Sequence, residues 1–414
     1  MPVQGFFPLP DKPMSSINNV NLQVAAVNLA NLPECLKSYA NLIVGLIPCW
    51  QENAERLYGM RGVLSGTRTT GRENQHTHHN RGFPGFFWTA GAQWLTLPLI
   101  EYYEVSSDRD FLENTLYGLI EQIALFYEDF LTVTDDRGSL VFVPSYSPEN
   151  RPANLRTTAV INATMDIAVA KEALSYAIKF SKELGRNKEK ISDWQKLLDK
   201  LPRYRVNEDG ALAEWADKDL RDRYNHRHVS HLYPLWPGHE ISPESGELFE
   251  AALMAARKRG RGNRSAHGLA HMALIGSRLR DCELVYGNLD FMLRENYILP
   301  SLFTWHNPGR IYNADMLHSL PGAVMEMLVY SRPGEIEFFP ALSDKLSRGS
   351  IKGVQCRVGV SVEELIWDFE NKRAEAVLRS IKDQEVTLRY RRGMNRSQLT
   401  AGETTRRKFS SLNC

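Results

Sequence analysis

The chain has 414 residues, with 50 Lys plus Arg against 49 Asp plus Glu, a formal charge of +1 and 43% hydrophobic residues. These proportions suit a folded chain with a large apolar core and exclude disorder as its main state. The balanced charge leaves no basic excess for a phosphate backbone, and no stretch nears the roughly 20 apolar residues of a membrane span, so neither nucleic acid nor membrane is expected as a partner.

The opening MPVQGFFPLPDKP lacks the basic start and apolar run of a secretory signal, so export is not expected of the chain as written. Asn18-Asn19-Val20-Asn21 follows, read alone as a turn or cap. Helices are expected around 34–57 and 88–104, the second entered through an aromatic loop from Phe83 to Trp94 that includes Phe86, Phe87 and Trp88. Such rings pack into a core or stack on the apolar face of a sugar. His76-Thr77-His78-His79 lies in a polar loop before it and is expected at a solvated cleft rim, without metal.

Leu112, Leu116, Leu119, Ile123, Phe126 and Phe130 step by four and three, as one face of a helix must. Pro144-Ser145-Tyr146-Ser147-Pro148-Glu149-Asn150 comes next; its prolines restrict the backbone, so the Glu149 carboxyl leaves a stiff loop. It reads either as an aimed acid or as an exposed loop glutamate. A helix from about Thr164 to Leu184 places Ile167, Ala170, Leu174, Ala177 and Leu184 on one face, and Gly185 stands where a left-handed cap belongs.

Another helix is expected around 189–200, before His226-Arg227-His228-Val229-Ser230-His231. Its three imidazoles and guanidinium suit a ligand rich in hydroxyls, which needs both donors and acceptors. A histidine-rich helix start is the plainer alternative, and a zinc site on His228 and His231 lacks a supporting HExxH. Helices around 246–258, 266–279, 282–295 and 321–330 complete this region, with Ile311-Tyr312-Asn313-Ala314-Asp315 ahead of the last. An Asn carbonyl can orient a water whose proton passes toward a nearby carboxylate.

After Pro333 the period becomes two. Val354, Cys356, Val358 and Val360 share one parity, and polar Asn371-Lys372 separates two apolar runs, as in antiparallel strands. Residues 394–414 are polar and are expected to fray. The expected organisation is a closed helical toroid over 1–330, a small β domain over 331–393 and a disordered tail. Five scattered cysteines without a CxxC pair argue against a zinc ribbon or a disulfide framework. GRGNRSAHG lacks the third glycine of a dinucleotide loop, and neither GxxxxGK[ST] nor GxSxG occurs.

Taken in order, Asn19-Val20-Asn21, Asn31-Leu32-Pro33-Glu34-Cys35, PSYSPEN, Thr164-Met165-Asp166-Ile167, Glu214-Trp215, HRHVSHLYPL, Glu326-Met327-Leu328 and GEIEFFPAL followed by GSIKG resemble glycoside hydrolase family 95 over roughly residues 1–370. This is the family of inverting α-L-fucosidases and related α-L-galactosidases. The resemblance implies an (α/α)6 barrel followed by a small β domain, without the family's large N-terminal β domain. It implies that Glu149 is the general acid, with a raised pKa, that Asn19 and Asn21 hold the attacking water, and that Asp315 is the effective base. Arg227, His228 and His231 would contact sugar, and Trp88 would form an aromatic wall. An inverting pair stands about 6.5–9.5 Å apart so that water fits. His267 and His271 depart from the family, lying at or near positions where it commonly has tryptophans.

The implied activity is removal of a terminal α-L-fucosyl or related residue from an oligosaccharide, without metal or organic cofactor. Another toroid glycosidase, a polysaccharide lyase and a non-catalytic carbohydrate-binding relative are the alternatives.

Overall fold

The computed structural model describes residues 6–9, 12–70, 79–80, 82–260, 263–391 and 393–409. His76, Thr77 and His78 of the histidine run lie outside them. Strands β1 (Phe6–Leu9), β2 (Lys12–Ser16) and β3 (Arg68–Thr70) form one small sheet, and β4 (His79–Asn80) pairs with β5 (Phe83–Pro84). The helices are α1 (Ile17–Val24), α2 (Pro33–Tyr58), α3 (Gly91–Ser106), α4 (Arg109–Phe111), α5 (Tyr117–Phe130), α6 (Thr164–Leu184), α7 (Lys188–Lys200), α8 (Glu247–Arg257), α9 (Ala266–Arg278), α10 (Cys282–Arg294) and α11 (Ala314–Leu328). A π-helical stretch, Leu112–Leu116, joins α4 to α5.

Local chemistry explains several boundaries. Pro33 opens α2, where a missing N–H costs nothing, and Gly59 closes it at φ 65°. Gly185 closes α6 at φ 68°, the cap expected from sequence. Helix α11 starts seven residues before the predicted 321, because the Asn313 side chain accepts the Met316 N–H at 2.8 Å and caps it. Pro321 inside α11 obscured that start.

Burial sorts the helices into two layers. All 13 residues of α9 are buried, as are the first ten of α3, whereas α7 buries only Trp194 and α10 only Val285, Leu289 and Met292. Helix α1 packs on α3 and α11, α2 on α3, α5 on α6, α6 on α7, and α9 on α10 and α11. The result is an (α/α)6 barrel, whose inner helices direct side chains from distant parts of the sequence toward one axis.

Packing is tight where the α2–α3 connection meets α5. Gly62 has φ +79°, and a Cβ there would stand 2.1 Å from the Gln122 carbonyl oxygen and 2.6 Å from the Phe126 nitrogen. Both neighbours are backbone and cannot step aside. Gly62→Ala is therefore expected to cost about 1–3 kcal/mol of stability, read as a lower urea midpoint; an unchanged midpoint would contradict the packing argument.

Strands follow α11 directly. β6 (Val329–Arg332), β7 (Glu335–Phe338), β12 (Gln384–Tyr390) and β13 (Gly393–Leu399) form one sheet in the order β13-β12-β7-β6, with β12 and β7 parallel. β8 (Arg348–Ile351), β9 (Val354–Cys356), β10 (Val360–Asp368), β11 (Arg373–Ser380) and β14 (Thr404–Phe409) form the other. Asn371-Lys372 lies in the turn between β10 and β11, which pair antiparallel from Asp368 and Arg373 onward.

The frayed tail expected from residue 394 is corrected here. Residues 393–399 pair with β12 and residues 404–409 with β11. Ser397, Leu399 and Phe409 are buried, and Phe409 packs 4.6 Å from the Tyr390 ring. The residues of both strands are mostly polar or basic, with burial confined to a few such as Ser397, Leu399 and Phe409, so composition hid the strands. Residues 410–414 lie outside the described ones.

Candidate active site

The loop holding Glu149 is anchored on both sides. Ser145 pairs through its backbone with Val160, and its hydroxyl donates to Asp166 at 2.5 Å. Burial pushes the Asp166 carboxyl up to about 7, against the pull of its hydrogen bonds. Beyond it, Ser147 Oγ donates to one Glu214 oxygen at 2.8 Å and Asn150 Nδ2 to the other at 2.8 Å. Glu214 thus grips the chain on either side of Pro148-Glu149, and Arg259 Nη2, 3.2 Å away, balances its charge. The Glu149 carboxylate is left 18% exposed, hydrogen-bonded by the Arg227 guanidinium and 3.5 Å from His228 Nε2.

Asp315 lies in the first turn of α11 and is fully buried. Asn19 Nδ2 donates to it at 2.6 Å, Gln23 Nε2 at 3.1 Å and Asn313 Nδ2 at 3.1 Å. Asn19 and Gln23 are four residues apart on α1, so one helix face delivers both amides. Burial pushes the Asp315 carboxyl up to about 6, while the three amides act in the opposite direction. Asn21 leaves α1 on another side; its amide donates to the Trp94 carbonyl at 2.8 Å, and its buried Oδ1 has no hydrogen-bond partner.

Two histidines stand between these carboxylates. The His228 ring is 4.5 Å from that of His267, and His267 Nδ1 is 3.6 Å from Asp315 Oδ2. Burial keeps both imidazoles neutral, His228 well below its ordinary range and His267 down at about 3. An adjoining cavity is lined by Trp88, Trp94, Pro148, His228, Trp236 and His271 among others.

The predicted residues thus separate into groups. Glu149, Arg227 and His228 meet at one side, Asn19 and Asp315 at the other, and Trp88 lines the cavity although it exposes no surface of its own. His231 is not with them. Its ring nitrogens lie 3.0 and 3.2 Å from Arg259 Nη2, which ties it to the Glu214 support of the acid loop. Among the described residues, no group of three or more His, Cys, Asp or Glu is arranged to hold a metal ion.

Sequence reasoning missed Gln23, Trp236 and His306. The i, i+4 relation of Gln23 to Asn19 was the one local signal available. The His306 imidazole is held below its ordinary range mainly by burial, with the Asp315 and Glu149 carboxylates acting in the opposite direction.

The (α/α)6 barrel thus carries one carboxylate on a braced loop and a second gripped by amides. The chain belongs to glycosyl hydrolase family 95, whose catalytic-domain model matches residues 14–328. It is 31% identical over 363 residues to "Alpha-L-fucosidase 2" of Arabidopsis thaliana, spanning 83% of this chain and 42% of that protein. It is 24% identical over 382 residues to "Probable alpha-fucosidase A" of Aspergillus niger, spanning 84% of this chain and 46% of that one. The chain therefore covers less than half the length of these relatives. A solved structure of Streptomyces avermitilis alpha-L-rhamnosidase complexed with L-rhamnose aligns over 95% of this chain and 38% of its own, with a TM-score of 0.53 and 10% identity, a likeness of fold alone.

Proposed function

We propose that this chain is the catalytic part of an inverting exo-glycosidase that hydrolyses a terminal α-L-fucosyl residue of an oligosaccharide. The observation that carries the reading is the pair Glu149 and Asp315 on either side of the His228–His267 imidazoles, one partly open to solvent and the other gripped by amides. In this reading Glu149 protonates the glycosidic oxygen as the bond to the anomeric carbon breaks. Water attacks that carbon from the opposite face. The Asn21 and Asn19 carbonyls orient the water, and Asp315 draws its proton through Asn19, whose carbonyl receives it as the Nδ2–H bonded to Asp315 is passed on. The fucosidase names of the relatives support the choice of sugar, and the family match supports the reaction class.

The purified protein is to be incubated with reducing-end-labelled oligosaccharides capped by different terminal sugars, with proton NMR following the released sugar. Release of L-fucose first as its β anomer is expected. Release of the α anomer would reject inversion, and an unsaturated product absorbing in the ultraviolet would indicate a lyase.

The acid limb of the pH profile tests Asp315. Its carboxyl is raised above the ordinary value of 3.8 to about 6, so it is ionised and able to accept a proton above that pH and protonated below it. We expect kcat/KM to fall roughly tenfold per unit below pH about 6, and Asp315→Asn to remove both activity and limb. A limb centred near pH 4 would remove Asp315 from the role.

A further inference from the structure

Helix α9 carries His267 and His271 four residues apart, hence on one face. Both rings are buried, with centroids 4.5 Å apart, and none of their four nitrogens has a hydrogen-bond partner. His271 is held by apolar packing, edge-on to Trp94 at 6.4 Å and to Trp236 at 5.2 Å. His267 Nδ1 approaches Asp315 Oδ2 only to 3.6 Å, beyond a hydrogen bond.

A neutral imidazole has one donor and one acceptor, and burial keeps both rings neutral. The pair therefore brings two donors and two acceptors into the barrel interior with no protein group to meet them. Buried polar atoms are rarely left so in folded chains, because their lost hydration is not replaced. Their position indicates the missing partner. His271 lines the cavity that also holds Pro148, next to the Glu149 carboxyl, and His267 lies between His228 and Asp315. A sugar hydroxyl both donates and accepts, so it can satisfy either nitrogen of either ring.

We propose that His267 and His271 are specificity-determining residues that hydrogen-bond hydroxyl groups of the terminal sugar held between Glu149 and Asp315. This rests on the glycosidase reading for the identity of the ligand. The contacts select a sugar with free hydroxyls on the edge facing α9 and reject one lacking them, since the imidazole nitrogens would then stay unpaired.

Calorimetric titration of L-fucose and its monodeoxy analogues into the wild type, His267→Phe, His271→Phe and His271→Asn tests this. Phenylalanine keeps the ring and its packing while removing the nitrogens, and asparagine keeps a donor and an acceptor. Each phenylalanine variant is expected to bind L-fucose roughly tenfold more weakly or worse, with partial recovery in His271→Asn. For each histidine, one monodeoxy analogue should bind the wild type and the phenylalanine variant equally, because the contact is already missing from the sugar side. A uniform loss across all analogues, or no loss, overturns the proposal.

Turnover of a fucosyl oligosaccharide by the same proteins separates this inference from the reading beneath it. Wild-type hydrolysis with kcat/KM unchanged in both phenylalanine variants would sink the inference and leave the glycosidase standing. Histidine-dependent sugar binding without hydrolysis would keep the inference and reject the glycosidase. A wild type that binds none of these sugars would overturn both.

Discussion

Glu149→Gln is expected to lower kcat on a natural oligosaccharide by about 10²–10⁴-fold. The amide is nearly isosteric with the carboxylic acid but has no proton to give to the departing oxygen. The loop should keep its shape, because its anchors are Ser145 on Asp166 and the paired Ser147 and Asn150 contacts on Glu214, none of which involves the Glu149 side chain. The substitution also weakens the contact with Arg227, whose side chain is 43% exposed, and such half-solvated pairs contribute about 1 kcal/mol or less. Thermal stability should accordingly remain near that of the wild type. A substrate whose leaving group is already a good one, such as a nitrophenyl glycoside, needs little protonation and should lose far less activity than the oligosaccharide. Equal loss on both substrates would show that Glu149 does something other than donate a proton.

Arg357→Met should have the largest effect on stability. Arg357 lies between β9 and β10 and reaches into the barrel, where its Nε donates to Glu101 of α3 at 2.7 Å and its Nη2 to Glu326 of α11 at 2.6 Å. Arg278 holds the same Glu326 through two further bonds at 3.0 and 2.9 Å. Burial alone pushes the Glu326 carboxyl up, but the two guanidinium groups outweigh it and hold the carboxyl below its ordinary value. Removing Arg357, which is only 4% exposed, leaves Glu326 with one cation and Glu101 without its guanidinium partner. Breaking a buried pair in this way costs about 3–5 kcal/mol. A reduced unfolding free energy in urea is the readout, and Arg357→Met combined with Glu101→Gln should lose less than the sum of the two single changes. Additive losses would mean that Arg357 does not act through Glu101.

How far the site was legible depended on what held each residue. The stiffness around Glu149 could be read from Pro144 and Pro148, since proline restricts its own backbone wherever it occurs. What the sequence concealed was the bracing by Asp166 and Glu214, which approach Ser145 and Ser147 from 21 and 67 residues away. The same limit explains Asn19. As an isolated amide it reads as a cap, yet it meets Asp315 across 296 residues. His231 misled in the opposite direction, because its place in HRHVSH suggested a ligand contact while Arg259, 28 residues on, takes it as a structural partner.

By itself the sequence determined the local elements and their order. The 3.6-residue spacing of Leu112 through Phe130, the glycine cap after Leu184 and the alternation around Val354–Val360 express backbone and burial preferences that act over a few residues. It also carried the ordered phrases from Asn19-Val20-Asn21 to GSIKG that point to the family. Only the tertiary structure decided which side chains meet. Closure of the barrel sets α1 beside α11 and α3, and so fixes that Gln23 joins Asn19 on Asp315, that His267 separates Asp315 from His228, and that Arg357 crosses from the strands into the helices. Packing also made strands of residues 393–409, because Leu399 and Phe409 bury themselves against sheets assembled from earlier sequence. Such contacts arise from long-range burial of apolar surface and the pairing of buried charge, and neither leaves a local period for a reader of sequence to find.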